Sequence, residues 1–174
     1  AQYHCEKLGI PHITIPLSFM HQYFKSSLLD GADAIPEGHY EEENMKSTVV
    51  PFRNGIMLAI ATGIAESHEL KRVYIANHGG DHTIYPDCRP EFIHAMNGAT
   101  EAGTFVKVRV EAPYTEITKV EIVARGAALG IDYSKTWSCY KGADIHCGKC
   151  GTCVERKEAF EAAGVKDPTI YNKE

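Results

Sequence analysis

The stretch SCYKGADIHCGKCGTC, from Ser138 to Cys153, contains four of the six cysteines of the chain. They are spaced C-x7-C-x2-C-x2-C, at Cys139, Cys147, Cys150 and Cys153. Four thiolates around one Zn²⁺ account for all four positions at once, and the interspersed glycines permit the tight turns that a small metal cage requires. The segment 138–164, which we expect to end in a charged helix from Cys153 to Gly164, is therefore predicted to be a zinc-binding unit.

Disulfide bonds, redox chemistry and an iron–sulfur cluster are the alternatives to zinc for these cysteines. Disulfide bonds need an oxidising compartment, and we expect this protein to be cytoplasmic. A C-x-x-C pair can serve redox chemistry, but that motif usually opens a helix after a strand, and here two pairs overlap. An iron–sulfur cluster also takes cysteine ligands. Because four cysteine ligands leave no open position on the metal, we expect a structural zinc, with His146 a solvated loop residue rather than a ligand.

The composition is that of a folded domain with no general attraction to polyanions. Of the 174 residues, 44% are hydrophobic and 24% are charged, so we expect a single domain over residues 1–174. The formal net charge of −5 argues against direct binding to nucleic acid or to an anionic membrane surface. No apolar run is expected to span a bilayer, so no membrane partner is predicted.

Helical and extended patterns alternate along the chain. We predict helices over residues 1–8, 18–30, 53–70, 88–103, 118–130 and 153–164, strands over 10–17, 72–77 and 104–113, and a long acidic loop over 31–49. This alternation is typical of an α/β fold in which helices cover both faces of a largely parallel sheet. Ligands bind such folds at the carboxyl ends of the strands, which here include the loop 78–87. The first helix resembles the second half of a longer one, so we expect the domain to begin before Ala1.

Two motifs in and after that loop carry reactive or charged side chains. YPDCRPEF, at Tyr85–Phe92, places an aromatic ring, a carboxylate, a thiol and a guanidinium at a strand-to-helix junction. Either these groups bind a ligand, or Asp87 caps the following helix. Cys88 is expected to be a small buried residue rather than a nucleophile. HGGD, at His78–Asp81, either lets a ligand approach the backbone closely or forms a turn.

Two cations begin predicted helices. Arg53, in VPFRN, can bind a phosphate or carboxylate with two N–H groups, or it can form a structural ion pair. Lys119 lies in a first helical turn, where the helix dipole disfavours a cation, so its position hints at phosphate binding; a solvated lysine is the alternative. Neither G-x-x-x-x-G-K-[ST] nor G-x-G-x-x-G occurs in residues 1–174.

In combination, these motifs resemble the 7-cyano-7-deazaguanine synthase (preQ0 synthase, QueC) family of PP-loop ATP pyrophosphatases. The resemblance rests on YPDCRPEF, on TWSCYKG and HCGKCGTCVER, and on the closing DPTIY. VPFRN is similar to the family's V-P-G-R-N, with Phe52 in place of glycine. HGGDHTIYPD departs from the family loop, which ends in S-G-Y-P-D, and Asp81 is placed at the position of that loop's aspartate.

The resemblance implies a Rossmann-like fold of the adenine nucleotide alpha hydrolase type. It also implies ATP-dependent conversion of 7-carboxy-7-deazaguanine and ammonia to 7-cyano-7-deazaguanine, with Mg²⁺ as activator, in the biosynthesis of queuosine. The alternatives are a related PP-loop ligase acting on another substrate and a non-catalytic zinc-binding module. We further expect a homodimer.

The resemblance also implies roles for individual residues, although it identifies no catalytic residue. Substrate contacts are expected from Arg53, Asn54, Asp81, Tyr85, Asp87 and Arg89, and a phosphate contact from Lys119. The family's S-G-G-x-D-S phosphate loop is expected before Ala1. Residues 1–174 by themselves are therefore expected to bind ATP poorly and still to bind zinc.

Overall fold

The computed structural model describes residues 1–31, 34–39, 43–142 and 144–172. Its helices are α1 (Gln2–Leu8), α2 (Phe19–Tyr23), α3 (Arg53–Ser67), α4 (Pro90–Gly103), α5 (Lys119–Ala128) and α6 (Gly151–Ala162), and its strands are β1 (Arg72–Tyr74) and β2 (Arg109–Glu111). Short 3₁₀ helices cover Glu43–Thr48, Gly79–Asp81, Pro86–Cys88 and Tyr133–Lys135. The fold therefore combines helices with a sheet, in the alternating order that the sequence predicts from α3 to α5.

The two strands pair in parallel, as predicted, with α4 as the crossover between them. Val73 lies opposite Val110 in the register, and Ile75 N–H donates to Glu111 O at 3.0 Å just beyond it. Each strand has three residues and is shorter than its prediction. The sheet nevertheless brings the loop after β1 and the loop after β2 to one edge of the molecule.

One core cluster joins this sheet to the helices beside it. Leu58 of α3, Ile93 of α4 and Val110 of β2 are buried together, and Val73 packs against them. The opposite face of β1 carries Arg72 and Tyr74, which are exposed. Within the described residues, helices therefore cover one face of the sheet, and the prediction of helices on both faces is not confirmed.

The first predicted strand is wrong. Residues 10–17 have no regular secondary structure, and Ile13 is 65% exposed. Their β-branched side chains favour an extended backbone, but a strand also needs a neighbour with which to pair. Pro11 and Pro16, moreover, have no N–H to donate.

The helix predicted over residues 18–30 is also mostly wrong, because α2 ends at Tyr23. Beyond it, serine side chains and a distant segment take up the backbone hydrogen bonds. Ser26 Oγ accepts from Leu28 N–H at 3.3 Å, and Ser27 N–H donates to Ser47 O at 2.9 Å. Local serine hydrogen bonds of this kind compete with helix formation.

By length and composition alone, the segment Glu43–Ser67 is long and apolar enough to cross a membrane, contrary to the expectation that no apolar run spans a bilayer. It is not one continuous α-helix, because a turn at Pro51–Phe52 separates a 3₁₀ turn from α3. The 15 residues of α3 extend about 22 Å, less than the ~30 Å hydrocarbon core of a bilayer. Leu58 and Ala65 are buried, so α3 has the character of a core helix.

Several helix boundaries agree with local signals in the sequence. Gly9 ends α1 in the left-handed conformation, at φ 65°. Thr118 Oγ1 accepts from Glu121 N–H, and Glu121 Oε2 accepts from Thr118 N–H at 2.9 Å, which confirms the predicted capping box of α5. The last helix begins at Gly151 rather than at Cys153, because Cys150 is its N-cap residue.

Candidate functional site

The four cysteines of the C-terminal segment come together in the fold. The Sγ atoms of Cys139, Cys147, Cys150 and Cys153 all lie within 4.8 Å of one another. A tetrahedral Zn²⁺ with Zn–S bonds of about 2.3 Å places its sulfurs roughly 3.8 Å apart, so this spacing fits one ion. Three of the thiols are buried and Cys147 is partly buried. The cysteines are therefore positioned to hold a metal ion, as predicted.

Backbone N–H groups point at the sulfur atoms of this cluster. Cys147 N–H donates to Cys139 Sγ at 3.3 Å, and Cys150 N–H donates to Cys147 Sγ at 3.3 Å. The turn that allows the second contact passes through Gly148, at φ 75°. Burial raises the pKa of the Cys147 thiol and so disfavours the thiolate. A bound metal cation would offset this effect, because its positive charge stabilises a thiolate ligand. We refer to residues 138–164 as the four-cysteine segment.

The prediction that His146 is a solvated loop residue is wrong, whereas its exclusion from the cysteine group agrees with the structure. Its side chain is buried rather than solvated, and its Nε2 accepts from Ser138 N–H at 3.1 Å. Its ring lies 4.1 Å from that of Trp137. Burial lowers its pKa, which favours the neutral ring that accepts this hydrogen bond. His146 therefore holds the start of the four-cysteine segment in place and does not join the metal cluster.

A second group of side chains is centred on Asp87. Its carboxylate accepts from Arg53 Nη1 at 2.8 Å and from the backbone N–H of Asn54 at 2.9 Å. Asn54 Nδ2 donates in turn to Asp87 O at 2.9 Å. The carboxylate thus binds the first turn of α3. The suggestion that Asp87 caps α4 is wrong, because the N-cap residue of α4 is Arg89 and no side-chain cap is formed there.

Tyr85 connects this group to two other parts of the chain. The side chain is only 2% exposed, and its hydroxyl lies 2.7 Å from Thr48 Oγ1 and 3.2 Å from the hydroxyl of Tyr140. The guanidinium carbon of Arg53 lies 4.6 Å from the centre of the Tyr85 ring, a cation–π contact. Tyr85 therefore contacts three parts of the chain: the start of α3 through Arg53, the end of the predicted acidic loop through Thr48, and the four-cysteine segment through Tyr140.

Cys88 has the environment of a structural thiol. It is buried, with Asn54 Nδ2 at 3.3 Å and Arg53 Nη2 at 3.6 Å from its sulfur. Burial raises its pKa to about 11, so the thiol stays protonated at neutral pH. A protonated thiol is a weak nucleophile, which favours the packing role that the sequence predicts.

A charged group lies in the loop that follows β1. Gly80 N–H donates to His78 Nδ1 at 3.2 Å, and Asp81 accepts from His78 N–H at 3.3 Å. Burial lowers the pKa of His78. Lys119 forms an ion pair with Glu155. Glu155 lies beside this loop, because a Cβ atom added to Gly80 would be only 3.3 Å from Glu155 Oε1. The Lys119 side chain is thus paired at this loop rather than simply solvated.

Both groups lie where the parallel strands end. Asn77, three residues after β1, donates from Nδ2 to Cys88 O at 2.7 Å and to Thr115 Oγ1 at 3.2 Å. Thr115 follows β2, so this amide joins the two loops. The Nε of Arg89 donates to His82 O at 2.9 Å, within the same edge. We call this edge, built from the Asp87 group and the His78–Asp81 loop, the candidate active edge.

The chain matches a family model described as "Queuosine biosynthesis protein QueC" over residues 1–164. The chain belongs to the QueC family. It is similar to a 7-cyano-7-deazaguanine synthase of Porphyromonas gingivalis, at 64% identity over 98% of this chain and 78% of the relative. Proteins of the same name from Hahella chejuensis and Brucella ovis are 51% and 50% identical over 96% and 98% of this chain, and over 72% and 75% of their own lengths. The family resemblance inferred from the motifs is confirmed.

The motif VPFRN, at residues 50–54, differs from the family's V-P-G-R-N at one position with an unusual backbone conformation. Phe52, at the position where that motif carries glycine, has φ 54°, a left-handed conformation that favours glycine. Its ring lies 5.7 Å from that of Phe92, edge to face, and within 3 Å of where a Cβ on Gly55 would stand. The aromatic contact is therefore made at the cost of backbone strain in the turn before α3.

The structure gathers the sequence-predicted residues of this QueC-family chain into two adjoining groups. Arg53, Asn54, Tyr85 and Asp87 are in direct contact, Arg89 binds the intervening loop, and Asp81 and Lys119 lie with the His78 group. Glu155, Thr48 and Tyr140 are members that the sequence did not predict, and His78 is marked in the sequence only as part of the HGGD motif. Tyr140 and Glu155 had a usable signal, because they follow Cys139 and Cys153 by one and two positions in CYKG and CVER. In the acidic loop predicted over residues 31–49, residues 32, 33 and 40–42 lie outside the described residues.

Proposed function

We propose that this protein makes 7-cyano-7-deazaguanine from 7-carboxy-7-deazaguanine and ammonia, with consumption of ATP, in the biosynthesis of queuosine. The observation that carries the proposal is its 48–64% identity, over nearly the whole chain, to proteins named 7-cyano-7-deazaguanine synthase. The side chains of Arg53, Arg89 and Lys119 at the carboxyl ends of the strands support it, because the carboxylate substrate and the phosphates of ATP are anions that such cations bind. The enzyme would be a ligase that forms a carbon–nitrogen bond.

The chemistry requires two activations of the same carbon. A carboxylate is a poor electrophile, and transfer of AMP from ATP to its oxygen, with release of pyrophosphate, creates a leaving group. Ammonia then displaces AMP and leaves an amide. Activation of the amide oxygen in the same way allows loss of that oxygen with AMP and of the amide protons, which gives the nitrile. Fixed cations and N–H donors stabilise the negative charge that develops in such steps, and Mg²⁺ would serve the phosphates.

The proposed roles of the site residues follow from their contacts. Asp87 and Asn54 are occupied with each other and with the start of α3, so we assign them the support of Arg53. In the described part of the chain Arg89 forms a hydrogen bond only through Nε, which leaves its terminal N–H groups for an anionic substrate. Tyr85 would fix the position of Arg53 through its ring. These assignments place the substrate carboxylate near the two arginines.

The His78–Asp81 loop would serve the remaining polar groups of the substrate and the phosphates. Asp81 is an acceptor at the loop beside the Asp87 group, and a deazaguanine base presents N–H donors on its pyrimidine ring. Lys119 would contribute positive charge for a phosphate, with Glu155 holding its amine in place. The charge on Lys119 would neutralise a phosphate oxygen without any need for proton transfer.

The metal in this proposal is Zn²⁺ held by Cys139, Cys147, Cys150 and Cys153. It would link the loop that contains Cys139 and Cys147 to the first turn of α6. It would take no part in the reaction, because four thiolate ligands leave no open position on the metal for substrate or water. We place the protein in the cytoplasm, where a reducing environment keeps the four zinc-binding thiols available as ligands. A single domain over residues 1–174, a Rossmann-like completion of its sheet, and a homodimer that does not contact nucleic acid complete the proposal.

The proposal is tested by incubating the full-length protein with ATP, Mg²⁺ and ammonia, and with several carboxylated bases in parallel. We expect AMP release with 7-carboxy-7-deazaguanine and not with guanine, which lacks the carboxylate. AMP release with a different base alone would support a related ligase. Zinc content without any nucleotide turnover would support a non-catalytic zinc-binding module, and either result would overturn the proposal.

A further inference from the structure

Two side chains of the four-cysteine segment reach the candidate active edge. The hydroxyl of Tyr140, the residue after Cys139, lies 3.2 Å from the hydroxyl of Tyr85, which is 55 positions away in the chain. Glu155, two residues after Cys153, forms an ion pair with Lys119, 36 positions away. The four-cysteine segment and the candidate active edge are therefore joined at two separate points.

The Tyr140 contact occurs where water has little access. Tyr85 and Thr48 are both buried, so their hydroxyls depend on protein partners to satisfy their hydrogen bonds. Thr48 Oγ1 also lies 2.7 Å from Met45 O, to which it donates, and thus has a partner of its own. Tyr140 is attached directly to buried Cys139, so the position of its hydroxyl depends on that of the metal cluster. The Tyr85 ring in turn contacts Arg53.

The Glu155 contact lies beside the loop after β1. Side-chain exposure is 15% for Glu155 and 27% for Lys119, so the pair is screened by water less than a surface pair. Glu155 also lies close to Gly80, whose N–H binds His78. Because Cys150 and Cys153 lie at the start of α6, the direction of this helix near Glu155 depends on the cysteine cluster.

We propose that Tyr140 and Glu155 are positioning residues through which the four-cysteine segment orders the candidate active edge. Tyr140 orients Tyr85 and thereby Arg53, whereas Glu155 orients Lys119 against the His78–Asp81 loop. Neither residue is assigned a contact with substrate. The inference rests on the proposed function for the identity of that edge, but the ordering itself can be measured without any turnover.

The test uses two conservative variants of the zinc-loaded, full-length protein. Tyr140→Phe removes one oxygen atom and keeps the ring, and Glu155→Gln removes one charge and keeps the shape. Matched controls are Tyr74→Phe, at an exposed tyrosine of β1, and Glu158→Gln, at an exposed glutamate of the same helix. Metal content and the thermal unfolding midpoint are measured first; metal content should match that of the parent protein, and the midpoint should fall by no more than about 2–4 °C, as the loss of one hydrogen bond implies.

Backbone hydrogen exchange then reports on the ordering. Tyr85 N–H donates to Asp81 O at 2.9 Å, and Cys88 N–H donates to Tyr85 O at 3.0 Å. We expect exchange of these amides to rise about fivefold in Tyr140→Phe, as the loss of one hydrogen bond implies. In Glu155→Gln the rise should instead appear at Gly79–His82. Exchange at both places equal to that of the controls would overturn the proposal.

Kinetics separate positioning from general stability. With zinc retained, we expect Tyr140→Phe to lower kcat about fivefold and to change KM for 7-carboxy-7-deazaguanine by less than about twofold. Loss of zinc from Tyr140→Phe would contradict the proposal, because the hydroxyl would then serve the metal cage. If the parent protein forms no nitrile, the proposed function fails, while the exchange result still decides whether these residues order the edge.

Discussion

The guanidinium of Arg53 donates to the carboxylate of Asp87 at 2.8 Å, although the two residues are 34 positions apart in the chain. The same carboxylate accepts from the backbone N–H of Asn54 in the first turn of α3, so a single side chain joins that helix to the loop after β1. This contact also fixes the orientation of Arg53 over the ring of Tyr85. The architecture of the candidate active edge therefore depends on Asp87.

Asp87→Asn should destabilise the protein as well as reduce its activity. The side chain of Asp87 is buried, and the change leaves the Arg53 guanidinium without its anionic partner. We expect a loss of about 2–3 kcal/mol in the free energy of unfolding, measured by urea denaturation. Glu111→Gln, which removes the partner of Arg72 in an exposed pair, is the control and should change the stability by less than about 1 kcal/mol. Equal effects of the two changes would contradict this account of Asp87.

Cys88→Ala should keep most of the activity, whereas Arg89→Ala should lose most of it. The thiol of Cys88 is protonated at neutral pH, since burial raises its pKa to about 11. The terminal N–H groups of Arg89 are assigned to the substrate. Steady-state kinetics with 7-carboxy-7-deazaguanine measure the difference, and loss of activity in Cys88→Ala comparable to that in Arg89→Ala would refute both assignments.

Cys150→Ser should abolish tight metal binding and loosen the start of α6. Cys150 is fully buried and is the N-cap residue of that helix. Metal analysis of the purified variant should find less than one zinc per chain, and hydrogen exchange should rise at residues 151–156. Cys5→Ser, at a half-buried cysteine outside the cluster, should retain the metal. Acid-labile sulfide in the parent protein would instead indicate an iron–sulfur cluster.

The closing DPTIY motif forms an ion pair whose contribution depends on pH. Asp167 accepts from Arg156 at 3.0 Å and from the hydroxyl of Tyr171 at 2.6 Å. Burial would raise the pKa of Asp167, but these hydrogen bonds outweigh burial and hold it below its ordinary value. A carboxylate with a lowered pKa stabilises the fold above its unfolded-state pKa, and this contribution is lost as the pH falls through the folded-state pKa.

We therefore expect Asp167→Asn to be less stable than the parent protein at pH 7, and the difference to shrink below about pH 4. Urea denaturation of both proteins at each pH gives the difference directly, so any acid release of metal that both proteins share cancels. A difference in stability that is independent of pH would contradict an ionised Asp167.

Features set by local spacing could be predicted from the sequence. The capping box of Thr118 and Glu121 and the left-handed Gly9 each depend on a few neighbouring residues, and the four-cysteine cluster depends on a short motif. The strand predicted over residues 10–17 was wrong because pairing depends on a neighbour that no local pattern specifies. The helix predicted over 18–30 ends early because the Ser26 side chain and the distant Ser47 carbonyl take backbone N–H groups of this segment.

The candidate active edge was predictable only in part, and for a similar reason. The sequence marks Arg53, Asp87 and Lys119 as charged residues at the ends of elements. It does not show that Asp87 binds α3 instead of capping α4, nor that Lys119 pairs with Glu155 from the last helix. Those partners are separated by more than 30 positions and depend on tertiary packing.

Isotope labelling tests the central claim most directly. The full-length protein is incubated with ATP, Mg²⁺, 7-carboxy-7-deazaguanine and ¹⁵N-ammonia, and the base product is analysed by mass spectrometry. The account predicts 7-cyano-7-deazaguanine that carries the label in its nitrile nitrogen, with AMP released alongside it. Unreacted 7-carboxy-7-deazaguanine, recovered from a zinc-loaded and folded protein, would contradict it.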